Sequence, residues 1–246
     1  MTTFSPDERA RYARHLMLKE IGGAGQQRLK AASVALVGVG GLGAPAALYL
    51  AAAGVGRLRL IDDDIVSLSN LQRQILYRSD ELDAPKAERA RDALTALNPH
   101  VGIDVRRDRL NEGNAKALLD GVDLVLDGTD DFATRFAVNA ACHALGLTLI
   151  SGAVGRWDGQ VATFKPSGPC YRCLVPEAPP NPETCAAVGI VGALTGVIGA
   201  MMALEAIKEI TETGDSLAGR LLIYDGLAGV SRTITLPRDP ACPVCA

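Results

Sequence analysis

The sequence predicts an α/β fold: a doubly wound, mainly parallel sheet extended toward the C-terminus by antiparallel strands. Three observations carry that prediction. Between Ser33 and Ser151 short apolar runs alternate with helical segments, the order that yields a parallel sheet covered on both faces. A glycine-rich turn, Gly38-Val-Gly40-Gly41-Leu-Gly43, separates the first strand from the first helix of that series. After Gly152 the alternation stops, and a Pro-rich loop over 166–182 leads to a long helix of small residues and two further strands. The 246 residues are read as one Rossmann-like domain with an N-terminal segment 1–30 and two halves, 31–152 and 153–246.

Taken in order, residues 7–30 carry Arg11, Arg14 and Lys19 on a helix that Gly22, Gly23 and Gly25 are expected to end. The alternation then gives strand Val34–Val37, helix Leu42–Ala53, strand Leu58–Ile61, helix Lys86–Leu97 and strand Val101–Val105. Helix Asn114–Leu119, strand Leu124–Leu126, helix Asp131–Leu145 and strand Thr148–Ser151 complete the first half. Strands Gln160–Phe164, Leu221–Tyr224 and Ser231–Leu236 belong to the second.

The formal net charge is −3 with a pI near 5.7, so no global positive field gathers nucleic acid or anionic membrane. The first residues lack an apolar secretory core, and a cytoplasmic location is expected. Two long uncharged stretches, Val34 to Gly56 and Ala186 to Leu204, have the length of membrane spans. Glycines and Pro45 divide the first into strand, turn and helix. Gly189, Gly192, Gly196 and Gly199 make the second a buried helix that lets another backbone approach.

The glycine turn follows a strand and opens a helix, the context in which backbone N–H groups and a helix N-terminus meet phosphate, here over Gly38, Gly40, Gly41 and Gly43. Asp62, at the end of the second strand, stands where a carboxylate accepts hydrogen bonds from ribose hydroxyls. These features fit NAD and ATP equally. Arg73 and Lys86 separate the two, since both lie just beyond the nucleotide edge of the sheet, where they can grip a polyphosphate. Nucleotidyl transfer must neutralise charge on the α-phosphate and departing pyrophosphate, whereas hydride transfer needs no such clamp. Asp130, after the fourth strand, is the expected Mg²⁺ ligand, and Asp131 can cap the helix that follows.

Four of six cysteines form two hooks, Cys170-Tyr-Arg-Cys173 and Cys242-Pro-Val-Cys245. Paired Cys-x-x-Cys hooks hold one Zn²⁺ through four thiolates, a closed site without an open position for chemistry. Cys142 lies mid-helix among Ala and Leu and is read as core. His15, His100 and His143 are scattered and are read as non-catalytic, and Trp157 receives no role.

With these residues in view the chain resembles the MoeB/ThiF adenylyltransferases, relatives of ubiquitin-activating enzymes. The matching stretches are Arg11-Tyr-Ala-Arg14-His, Gly38–Gly43, Ser67–Gln74, Pro85-Lys86, Asp127–Asp131, both cysteine hooks and the Gly-rich helix. The resemblance implies a homodimer whose sites bind Mg-ATP, in the half 31–152, and the Gly-Gly tail of a small ubiquitin-like sulfur carrier, in the half 153–246. It assigns nucleotide contact to Gly41, Asp62, Ser69, Asn70, Arg73, Lys86, Asp130 and Asp131, with Leu71 and Gln72 in the same segment. Arg14 would reach the phosphates of the neighbouring subunit. The family commonly has Asp-Asn where this chain has Asp130-Asp131, which puts the role of Asp131 in doubt.

The implied reaction is ATP-dependent adenylation of the carrier's terminal carboxylate with release of pyrophosphate. A MoaD-like carrier of molybdenum cofactor synthesis is favoured, and a ThiS-like carrier of thiamine thiazole synthesis is the alternative. Cys185 matches a position where the family can carry a thiol that joins the activated carrier. Many relatives append a rhodanese domain after the second hook, so a separate sulfurtransferase is an expected partner. An NAD-dependent oxidoreductase is the more distant reading: it explains the glycine turn and Asp62 but leaves Arg73, Lys86 and the thiols without purpose.

Overall fold

The computed structural model describes residues 4–180 and 189–246. Its first elements are the helices α1 (Pro6–Arg11), α2 (Ala13–Leu16) and α3 (Gly22–Ala31). Ser5 and Glu8 form a capping box at the start of α1, and the buried Glu8 carboxylate pairs with Lys30 at 2.7 Å, fastening α1 to α3. Here the structure corrects the sequence reading. Arg11 and Arg14 fall on two short helices, α1 and α2, rather than one, and the glycines end neither; they make the first turn of α3, while Lys19 lies in the preceding turn. Gly22 adopts φ +55, and a Cβ on Gly25 would meet Ile21 at 3.0 Å and Thr211 at 3.4 Å. Small residues are needed there for a tight entry and a close approach, not for termination.

Eight strands form one sheet in the order β3-β2-β1-β4-β5-β6-β7-β8. The strands β1 (Ser33–Val37), β2 (Arg57–Ile61), β3 (Gly102–Arg106), β4 (Leu124–Asp127) and β5 (Thr148–Gly155) pair in parallel. The strands β6 (Asp158–Phe164), β7 (Arg220–Asp225) and β8 (Val230–Thr235) continue the sheet antiparallel. Five of the covering helices are α4 (Gly43–Ala53), α5 (Lys86–Leu97), α6 (Ala115–Leu119), α7 (Phe132–Leu145) and α8 (Tyr171–Leu174). A sixth, α9, runs from Gly192 to Thr211. β1 is buried along its whole length, as a parallel strand covered on both faces must be.

The two faces have separate cores. Leu36, Leu60 and Ile150 point toward α4, α5 and α9, where they meet Leu50, Leu94 and Ile198. Val37, Ile61 and Val125 point the other way, toward Leu119 of α6 and Val138 of α7. Most predicted boundaries agree within two residues. One exception is the β5–β6 hairpin, where β5 runs four residues past Ser151 and Gly155 pairs with Asp158. Its two-residue turn is Arg156-Trp157, with Arg156 at φ +51, so the usual Asn-Gly or Asp-Gly signal of such turns is missing from the sequence.

The small-residue helix is confirmed but displaced: α9 begins at Gly192 and continues seven residues past Leu204. A Cβ on Gly199 would lie 2.5 Å from the Leu42 carbonyl oxygen, and one on Gly192 would lie 2.2 Å from the Gln72 carbonyl oxygen. Among the described residues no helix is long and apolar enough to cross a membrane. α9 also buries Glu205, whose carboxylate accepts from the Thr163 hydroxyl at 3.1 Å and the Leu217 N–H at 2.6 Å and pairs with Lys208.

The tightest approach in the fold is at Gly43, where an added Cβ would sit 1.9 Å from the Gly38 carbonyl oxygen. Gly43→Ala is therefore expected to lower stability by at least about 2 kcal/mol, the scale of an overpacked backbone contact. A shifted urea midpoint at unchanged slope would show it; an unshifted midpoint would contradict the contact.

Candidate active site

The carboxyl ends of β1 and β4 part because α4 and α7 leave the sheet on opposite faces, and a ligand crevice opens at such a switch point. Gly38 turns the chain at φ +79 directly after β1, and its N–H donates to the Ile61 carbonyl at 2.9 Å. Tyr77 braces the loop from behind, its hydroxyl donating to the Val39 carbonyl at 2.7 Å. The resulting cleft has a volume of about 620 Å³. Gly38, Gly40, Gly41, Asp62, Asn70, Arg73, Lys86, Asp130 and Asp131 line it.

The remaining predicted nucleotide residues lie outside the lining. Gly43 is buried in the first turn of α4, Leu71 packs against the core, and Ser69 and Gln72 are exposed beyond the rim. Ser69 still acts on the cleft through its backbone, since its carbonyl accepts from Arg73 Nη1 at 3.1 Å. Arg14 is exposed on α2 and does not line the cleft of its own chain. His15, His100 and His143 are absent from the lining, and the first two are occupied with Gln26 and Asp7. Cys142 is buried on α7 as expected, and burial raises its thiol pKa above the usual range. Cys185 lies outside the described residues.

Lys86 is only 3% exposed, and its ammonium is held by Asp64 Oδ2 at 2.6 Å. A buried ammonium needs such an anion, so Lys86 reaches the cleft already neutralised. Asp62 Oδ2 accepts the Val39 N–H at 2.7 Å and its Oδ1 accepts the Asp64 N–H at 2.9 Å. One carboxylate thereby joins the glycine loop to the loop after β2. Burial raises the Asp62 pKa above its ordinary 3.8, and the two N–H donors act against that rise. Asp131 caps α7, accepting from the Ala133 N–H at 3.0 Å and from the Thr134 hydroxyl, and lies 3.8 Å from Arg109. The carboxylate that replaces the family's usual Asn is thus consumed by a helix N-terminus and a guanidinium. Asp130 stands exposed at the same rim.

The sequence reading missed Arg135, Thr129, Arg109 and Thr195, which also line the cleft. Arg135 could have been found, because it lies four residues after Asp131 on one helix and such residues share a face. Thr195, on α9, had no signal: its hydroxyl donates to the Arg73 carbonyl at 3.3 Å across a separation of 122 residues. Ala153, Val154, Gln160, Tyr171 and Ile190 also line the cleft.

Away from the cleft the two hooks meet. The sulfurs of Cys170, Cys173, Cys242 and Cys245 all lie within 4.8 Å of one another. Cys170 Sγ is 3.6 Å from Cys242 Sγ and Cys173 Sγ is 3.4 Å from Cys245 Sγ, far beyond a disulfide bond. They approach the edge of roughly 3.8 Å that a tetrahedron of sulfurs has around an ion at about 2.3 Å. The Asn139 amide donates to Cys170 Sγ at 3.5 Å and the Asp239 N–H to Cys173 Sγ at 3.4 Å, the donors that thiolates require. Burial works to raise the Cys242 pKa, but hydrogen bonds from Val244, Cys245 and Cys170 outweigh it and bring the pKa down to about 7.

The raised Asp62 pKa has a definite sign in stability. Between the ordinary carboxylate pKa and the higher folded value, the folded chain holds a proton that the unfolded chain has released, so stability falls as pH rises through that window. Asp62→Asn removes the fall. Its stability relative to the parent is expected to improve from acid to neutral pH, and parallel denaturation curves for the two proteins across that range would refute the assignment.

A model of the ThiF family matches residues 12–244. A sulfur carrier protein adenylyltransferase of Thermus thermophilus is 46% identical over 250 residues, covering 98% of this chain and 92% of the relative. A SAMP-activating enzyme E1 of Haloferax volcanii is 44% identical over 238 residues, covering 96% and 88%. The adenylyltransferase and sulfurtransferase MOCS3 of Drosophila yakuba is 49% identical over 250 residues, and this chain spans 55% of its length. The solved structure of Escherichia coli MccB superposes with a TM-score of 0.85 at 21% identity, covering 99% of this chain and 74% of that one, and shows the shared fold alone. By the extent of that family match and the identity of these relatives, the chain belongs to the ThiF family.

Proposed function

We propose that this chain is an adenylyltransferase that transfers AMP from ATP to the C-terminal carboxylate of a small ubiquitin-like sulfur-carrier protein. One observation carries the reading: a single cleft brings together the glycine loop, Arg73, Lys86 and the exposed carboxylate of Asp130, and is also lined by Ala153, Gln160 and Tyr171 of the second half, where an acceptor tail would lie. The sulfur carrier protein adenylyltransferase that is 46% identical supports it. A MoaD-like carrier of molybdenum cofactor synthesis is the first candidate acceptor, and a ThiS-like carrier of thiamine thiazole synthesis is the second. An NAD-dependent hydride transfer leaves the dinucleotide's pyrophosphate intact and develops no further phosphate charge for Arg73 and Lys86 to offset.

The acceptor's carboxylate oxygen attacks the α-phosphorus, the bond to the bridging oxygen breaks, and the products are acyl-AMP and pyrophosphate. A carboxylate is already ionised at neutral pH, so no protein base is needed. That agrees with a cleft whose lining contains no histidine among the described residues. The glycine-loop N–H groups and the α4 N-terminus receive phosphate, Asp62 receives the ribose, and Asn70 borders the same subsite. Arg73 and Lys86 offset the charge that builds on the pyrophosphate, Lys86 exchanging Asp64 for phosphate. Mg²⁺ suits Asp130 together with substrate phosphates, and when bound it would neutralise phosphate charge.

Two of the family's assemblies enter as part of the proposal. Zn²⁺ fits the four converging thiols and would tie the C-terminal hook to α8 as a closed site. A homodimer would give the exposed Arg14 a cleft to serve in the partner, and the exposed side chains of Tyr49 on α4 and of Val197 and Leu204 on α9 supply apolar surface for a second copy.

Incubation of the chain with each candidate carrier, ATP and Mg²⁺, read by mass spectrometry for acyl-AMP, tests the reaction. Arg73→Ala, Lys86→Ala or Asp130→Ala should lower turnover by about 100-fold or more while the fold persists; full turnover in Asp130→Ala would remove that residue from the metal role. The dimer is tested by mixing Arg14→Ala with Arg73→Ala. Subunit exchange should restore about a quarter of the parent activity, because half the dimers then carry one intact site. No recovery would place Arg14 outside the partner's reaction. Cys173→Ala should abolish the zinc content and loosen the C-terminal part, whereas four freely titratable thiols in the purified protein would exclude the ion.

A further inference from the structure

Arg135 is only 5% exposed, and it lines the cleft. Taking such a group out of water requires partners for its N–H donors, and here these are mainly backbone oxygens of two different segments. Nη2 donates to the Thr129 carbonyl and, at 2.8 Å, to the Gly152 carbonyl; Nη1 donates to the Ser151 hydroxyl at 3.1 Å. The Tyr171 ring covers the guanidinium at 5.8 Å.

These bonds sit where the sheet gives way to the cleft. The parallel ladder between β4 and β5 ends at the pair Asp127 and Ser151. Past that pair the loop to α7 turns away from β5, and Arg135 spans the gap that the ladder leaves. Thr129, on one side, directly precedes Asp130. Gly152, on the other, directly precedes Ala153 and Val154, which line the cleft. Asp127 anchors the same loop, its Oδ1 accepting from the Thr129 N–H at 3.0 Å and hydroxyl at 2.7 Å. Its Oδ2 is buried without a hydrogen-bond partner among the described residues, a second polar group committed to this junction at a cost in solvation.

The geometry points to Arg135 as a positioning residue that fixes the distance between Asp130 and the wall formed by Ala153 and Val154, along which the acceptor channel would run, and so the alignment of acceptor carboxylate with α-phosphate. This role rests on the adenylation reading above. It explains why arginine stands there: a planar guanidinium holds the Thr129 and Gly152 carbonyls at Nη2 and the Ser151 hydroxyl at Nη1 at once, in a fixed geometry that an ammonium on a flexible stem does not impose. It also separates Arg135 from Arg73 and Lys86, whose task is charge. Arg135 contributes geometry, and its removal is felt at the metal carboxylate and the acceptor channel together.

Arg135→Lys keeps the charge and loses the fork. Expected are a cooperative unfolding transition, an ATP affinity in the absence of Mg²⁺ like that of the parent by calorimetry, and a turnover about 100-fold lower, the cost of a small misplacement. The Mg²⁺ concentration for half-maximal rate should rise, as should the KM for carrier. Ser151→Ala, which keeps both carbonyl bonds, should shift the same two quantities by about fivefold or less. A structural role alone would reduce the folded fraction and scale the rate without moving either quantity; that result, or parent-like kinetics in Arg135→Lys, overturns the assignment. If Arg135→Lys fails to fold, unchanged Mg²⁺ and carrier dependence in Ser151→Ala overturns it. A parent chain that adenylates no carrier would defeat the adenylation reading itself, and this role with it.

Discussion

The approach of Gly43 to the carbonyl of Gly38 is the constraint from which the cleft follows. Only with hydrogens in place of side chains at those positions can the chain leave β1, reverse, and start α4 with its first amides facing the crevice. The neighbouring parts adapt to that loop. Thr129 packs against Gly38, Gln74 against Gly40 and Thr195 against Gly41, so the loop after β4, the loop between β2 and α5, and α9 all register on the same few residues.

The cations that line the cleft are already engaged. Lys86 is held by Asp64, Arg73 by the Ser69 carbonyl and Arg109 by Asp131. Binding an anion there is an exchange of partners rather than a first neutralisation. The gain is the difference between two arrangements, and that difference is smaller and more selective than an attraction between unpaired charges. Asp62 shows the opposite strategy, since its carboxylate stays ionised only at a cost that burial imposes.

The parts of this arrangement that were legible in the sequence are those whose signals are local. Strand and helix alternation, the glycine turn and Lys86 at the start of α5 each need only a short window, and the two cysteine hooks announce themselves by spacing. Three misreadings have one cause in common. Gly22 to Gly25 were taken for a stop because the contact with Thr211 is nearly two hundred residues away. The β5–β6 turn escaped because Arg156 takes a left-handed conformation that its residue type does not favour. Thr195 escaped because it serves the cleft from another helix. Arg135 is the intermediate case: its spacing from Asp131 was visible, but its carbonyl partners exist only once β5 lies beside the α7 loop.

The meeting of the cysteine hooks carries one more implication. Cys170 and Cys242 are 72 positions apart, and between them lie α9, β7 and β8. If one ion joined them, they would close a loop as long as many that disulfides close, and would restrict the unfolded chain on a comparable scale of about 4 kcal/mol. The bond type decides what can undo it. A reductant that would sever a disulfide leaves a thiolate clasp intact, whereas a chelator or an oxidant opens it. Through Asn139, which holds both Cys170 and the backbone of Tyr171, the opening would reach the wall of the nucleotide cleft. Metal supply and peroxide, rather than thiol poise, would then govern how firmly the second half of the chain is closed upon the first.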